Sequence, residues 1–75
     1  MTSDTVRSFL QRRPFEPLRV TMSSGASFEV WHPEMALLLK AGLIIMLPDA
    51  DGGPSDRIEF CSFLHIASLE TAAFA

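Results

Sequence analysis

Leu18-Arg19-Val20-Thr21-Met22-Ser23-Ser24-Gly25-Ala26-Ser27-Phe28-Glu29-Val30-Trp31 is the stretch whose reading decides the fold of this chain. Ser23-Ser24-Gly25 fits a three-residue hairpin loop, a type I turn closed by glycine in the left-handed region as a bulge. With Met22 and Ala26 flanking that loop, counting outward sets Val20 against Phe28 and Leu18 against Val30, so one face is wholly apolar. On the other face Thr21 meets Ser27, and Arg19 meets Glu29 as an opposite-charge cross-strand pair. A slip of one residue would mix the two faces, so the register is well specified.

Upstream, residues 3–13 read as a short amphipathic helix. Val6, Phe9 and Leu10 follow the i, i+3, i+4 spacing of one apolar stripe. Thr2 or Ser3 can cap it, Asp4 suits the positive end of the helix dipole, and Arg12 and Arg13 suit the negative end. Pro14 stops it by disfavouring the helical region at Arg13. So short a helix does not hold in water alone, and its stripe must dock on something. Pro14-Phe15-Glu16-Pro17 is a stiff connector, with Phe15 as a plug between helix and sheet and Pro17 at a strand start.

Downstream of the hairpin, Met35 to Leu47 admits two readings. Pro33 can open a helical turn that Gly42 ends, as proline and glycine commonly do. Alternatively Lys40-Ala41-Gly42 repeats the Ser23-Ser24-Gly25 loop, and 35–39 and 43–47 form a second hairpin. Leucine, methionine and alanine favour the helix locally; the bounded apolar run with Ile44 and Ile45 suits a buried strand. The hairpin is preferred. Pro48 to Ser55 is a loop, Arg57 to Cys61 alternates as a further strand with Ile58 and Phe60 on one side, Ser62-Phe63-Leu64 makes a tight turn, and His65 to Glu70 supplies the last strand. The expected fold is therefore a single domain, mainly β with one N-terminal helix. Its core over residues 17–70 is a small, strongly bent five-stranded antiparallel sheet or SH3-like or Sm-like barrel, and 71–75 form a tail, frayed or tucked against a neighbour through Phe74.

Arg13-Pro14-Phe15-Glu16-Pro17, Ser24-Gly25, His32-Pro33-Glu34-Met35 and the closing Leu64 to Glu70 together resemble a group of short uncharacterised bacterial proteins. Their shared frame is an Arg-Pro-Phe-x-Pro opening, a glycine turn, a His-Pro-Glu and a final Ile-x-x-Leu/Ile-Glu strand. The resemblance spans residues 7 to 70 and implies a small β-rich domain, with no functional residues to carry over. In element order alone the chain is also distantly similar to the Sm-like RNA chaperones of bacteria, whose RNA-binding signature is not visible here.

Composition bounds the partners. Hydrophobic residues make up 48% of the chain, more than a domain of 75 residues hides easily, so self-association is expected. A net charge of −3 argues against a strongly basic nucleic-acid binder. Residues 1–20 carry a net +2 and residues 41–75 a net −4, which could steer head-to-tail packing, although two ordinary solvated surfaces are the preferred reading. The lone Cys61 fits a reducing compartment as a small buried hydrophobe. With no signal-sequence pattern and no apolar run long enough to cross a bilayer, a cytoplasmic location is the expectation.

Candidate chemistry is sparse. His32, Glu34, His65 and Cys61 could meet as metal ligands, but their spacing matches no zinc pattern; a hydrogen-bonding corner at His32 and a turn fixed by His65 are preferred. Asp49-x-Asp51-Gly52 with Asp56 lacks the closing glutamate of a calcium loop and reads as an acidic surface loop. Neither a nucleophile with its base, nor a phosphate-cradling glycine loop, nor an acid–base carboxylate pair is apparent. The expectation is a non-enzymatic protein without cofactors that associates with itself or with a protein or peptide strand. It would use strand edges, the apolar surplus of Met35 to Leu47, and Trp31 and Phe74 as contacts. An Sm-like RNA-binding ring is the alternative, with bases stacked on Trp31 beside Arg7, Arg12, Arg13 and Arg19.

Overall fold

A computed structural model describes residues 1–49, 51 and 56–71. Helix α1 (Ser3–Leu10) leads into strands β1 (Leu18–Met22) and β2 (Ser27–Val30). A 3₁₀ turn (Pro33–Met35) precedes β3 (Ala36–Leu38) and β4 (Gly42–Met46), and β5 (Ile58–Ser62) and β6 (Ile66–Glu70) close the order. The strands form two antiparallel three-stranded sheets, β2-β1-β6 and β3-β4-β5. The protein is mainly β with one N-terminal helix. Among the described residues there are six strands rather than five, and the two sheets do not close into a barrel.

The first hairpin has the expected register, with Leu18 opposite Val30, Arg19 opposite Glu29, Val20 opposite Phe28 and Thr21 opposite Ser27. Gly25 takes φ +96°, and its amide donates to the Met22 carbonyl at 2.9 Å. β1 is held on its other edge by β6, with a bulge that passes over Ala67.

Both readings of Met35 to Leu47 hold in part. Pro33 opens a single 3₁₀ turn, where its missing amide costs nothing. A tight hairpin follows at once, pairing Ala36 with Ile45, Leu37 with Ile44 and Leu38 with Leu43. Gly42 is no loop glycine. It starts β4 opposite Ser62, where an added Cβ would lie 2.5 Å from the Cys61 carbonyl oxygen and 2.7 Å from the Phe60 ring. The helix stops at Leu10 rather than Arg13, capped by Thr2, whose side-chain oxygen accepts the Thr5 amide.

One core joins these parts. Val6 of α1, Leu18, Val20 and Val30 of the first sheet, and Leu43, Ile45 and Cys61 of the second are fully buried. Phe15 packs against this cluster as the plug expected of it. Phe63, which the sequence places only in a turn, is buried as well, and its amide donates to the Ala41 carbonyl at 3.1 Å. Cys61 is the small buried hydrophobe expected, its thiol pushed up in pKa mainly by burial. Gly25→Ala forces a side chain into the left-handed region at a cost of about 1 kcal/mol. Gly42→Ala must displace an aromatic ring and a carbonyl, and should cost more, about 1–3 kcal/mol. Urea unfolding of the two variants should show this order; a neutral Gly42→Ala would refute the seating of Phe60 on the β4 backbone.

Candidate functional site

The outer faces of the two sheets differ in kind. On β2-β1-β6 the outward positions are Ser27, Glu29, Arg19, Thr21, Ser68 and Glu70, all polar. On β3-β4-β5 the same parity brings out Leu37, Ile44, Met46, Ile58 and Phe60. Leu39, whose amide donates to the Gly42 carbonyl at 2.8 Å, prolongs that row. Ile58 is 60% exposed, Leu37 59%, Phe60 51% and Met46 48%. Among the described residues no charged side chain interrupts this face. Soluble monomers rarely expose contiguous apolar patches of more than a few hundred Å², and such patches mark interaction sites.

The sequence placed the apolar surplus in Met35 to Leu47, and half of it belongs to this face. Leu37, Ile44 and Met46 point outward, whereas Leu43 and Ile45 fill the core. Ile58 and Phe60 share one side of β5, as alternation predicts, and the structure makes that side the exposed one. The signal that this face is to be covered lay in β4, where Leu43 and Ile45 alternate with Ile44 and Met46 and both faces of the strand are apolar.

Trp31 follows β2 and is 45% exposed. Its indole N–H donates to Glu29 Oε1 at 3.1 Å, and Arg19 Nη2 donates to Glu29 Oε2 at 3.0 Å. One carboxylate thus holds Trp31 and Arg19, two of the candidate interaction residues, and these two hydrogen bonds, Arg19 first, lower its pKa. Trp31 borders a cleft of ≈ 480 Å³ that Phe28, Met35, Leu47 and Arg57 also line.

Arg12 and Arg13 lie elsewhere, in the segment after α1. Arg12 stands 3.5 Å from Glu16 and 4.4 Å from the Phe9 ring centroid. Arg13 donates to the carbonyls of Leu10 and Arg12 at the helix end, and Arg7 pairs with Asp4. Each of these arginines therefore already meets acceptors within its own chain. Phe74 lies outside the described residues, as do Gly52 and part of the acidic loop around it.

His32 and His65 act through their backbones. The His32 carbonyl accepts the Met35 amide, and the His65 carbonyl accepts the Ser23 amide at 2.7 Å, tying the last turn to the first hairpin loop. Among the described residues no three of His, Cys, Asp and Glu gather as a metal-binding group. No helix among them is long and apolar enough to cross a membrane.

Because Glu29 titrates low, its contacts with Arg19 and Trp31 are present above the ordinary glutamate value of 4.5 and are lost as pH falls through the depressed folded value. Trp31 is the only tryptophan and there is no tyrosine, so intrinsic fluorescence reads this contact. On acid titration its emission should change with a midpoint below 4.5, Arg19→Ala should raise the midpoint, and Glu29→Gln should abolish the step. A wild-type midpoint at or above 4.5, with far-UV circular dichroism unchanged, would contradict the clamp. Compared with family models, with curated proteins and with solved structures, the chain matches none.

Proposed function

We propose that this protein is a non-enzymatic, β-rich interaction module that associates with itself. The observation that carries this reading is the charge-free apolar outer face of β3-β4-β5, set against the polar outer face of the other sheet. Burying such a face is favourable by about 25 cal/mol for each Å² removed from water, and no buried charge has to be offset. The outer strands of both sheets, β2, β6, β3 and β5, each have one hydrogen-bonded neighbour in the sheet order and offer further edges for pairing. Trp31 belongs to a second surface, at a cleft with an aromatic wall and a charged rim, where an extended segment of a protein partner would fit.

The alternative, an RNA-binding ring of the Sm-like kind, draws on element order and on Trp31 as a stacking platform. It is weakened by the net charge of −3 and by the internal partners of Arg7, Arg12, Arg13 and Arg19. Binding to single strands would need those pairs to open, and its affinity would fall steeply with salt.

Size-exclusion chromatography with light scattering over a range of concentrations tests the leading reading. The expected mass is a multiple of the monomer's, with no excess absorbance at 260 nm. A monomer at high concentration would overturn self-association, and co-purifying nucleic acid would favour the alternative.

A further inference from the structure

We infer that the occupant of the β3-β4-β5 outer face is the same face of a second copy, packed sheet on sheet about a two-fold axis that lies in the interface and crosses β4 at right angles under Ile44. This rests on the self-association reading and specifies its geometry, which strand-edge pairing would not share.

Area, chemistry and charge each select this occupant. Leu37, Met46, Ile58 and Phe60, each about half exposed, with Leu39 and the partly buried Ile44 between and beside them, present roughly 500 Å² of apolar surface, at the upper end of what a monomer shows. Two such faces together bury roughly 1,000 Å², the lower bound for a specific interface. Among the described residues none on the face is charged, so it offers no charge to fix an anionic headgroup, and the net charge of −3 opposes an anionic lipid surface. An isologous contact needs only that the surface complement itself. Ile44, the middle residue of the middle strand, sits between Leu37 and Phe60 in one cross-strand row. Any two-fold axis beneath it sets Ile44 against its own copy.

The rim decides the direction of the axis. Lys40 stands at the β3-β4 turn, at one end of the strands; exposed at the other are Glu34, Asp49 and Asp56 against Arg57, which leaves that end acidic. An axis across the strands runs the partner's β4 antiparallel to the first, so that each Lys40 approaches the acidic end of the other copy. An axis along the strands would instead stack like charges. Sheets packed at about 10 Å with their strands closely aligned are a common arrangement of β-sandwiches.

The full-length chain tests this directly. Ile44→Cys, treated with a short bis-maleimide, should give a covalent dimer, whereas the wild type should not, because its only thiol, Cys61, is buried. Phe60→Glu should lose the dimer in light scattering while keeping its far-UV spectrum, and Lys40→Glu should weaken the dimer at low salt. If the wild type assembles but Ile44→Cys fails to cross-link, or Phe60→Glu stays assembled, this packing is wrong and edge pairing takes its place. A monomeric wild type would overturn both this inference and the self-association it rests on. Should Phe60→Glu fail to fold, the Ile44→Cys cross-link alone decides.

Discussion

Leu18, Val20 and Val30 from one sheet meet Leu43, Ile45 and Cys61 from the other in a single buried layer, and the rest of the molecule depends on that contact. It is thin. Neither hairpin is stable alone in water, and an eight-residue helix is less so. Val6 docks α1 on the shared layer, and Phe63 ties the β5-β6 turn to it. The exposed ion pairs around the helix contribute at most about 1 kcal/mol each, so hydrophobic contact rather than charge holds the parts together.

With so few residues the chain can cover each sheet once. The first sheet answers this with an outer face that water solvates, through Arg19, Thr21, Ser68 and their neighbours. The second does not: Leu37, Ile44, Met46, Ile58 and Phe60 leave its outer face apolar. A protein that needed only to stay dissolved would have alternated polar residues along β4 as it does along β1.

How much of this was legible in the sequence follows from where alternation has a sign. Along Leu18 to Val30 every second residue is polar, so register, faces and the glycine turn could all be read from the residues. Along Met35 to Leu47 both parities are apolar, and the pattern cannot tell inside from outside. The hairpin was still found, from length and β-branching, but Gly42 was placed in its loop because the ring that needs its missing side chain comes from Phe60, eighteen positions downstream. Closure into a barrel was likewise a long-range question. The 3₁₀ turn Pro33–Met35 separates β2 from β3, and the two strands fall in different sheets. At the candidate site, Trp31 was correctly set on the surface, but its bond to Glu29 depends on a side-chain orientation that spacing does not encode. The arginines looked like one basic patch because composition counts charges without pairing them: Arg7 and Arg12 meet carboxylates three and four positions away, and Arg19 meets one ten positions away across the hairpin.

The seat of Phe60 on the bare backbone of Gly42 has one more implication. A ring resting on main chain has little freedom left to lose, so a neighbour meeting it would encounter a surface already in its final shape. The contour offered to that neighbour is then set partly by an atom that is missing, at a buried site the neighbour cannot touch. Mutational drift at position 42 would reshape recognition from underneath.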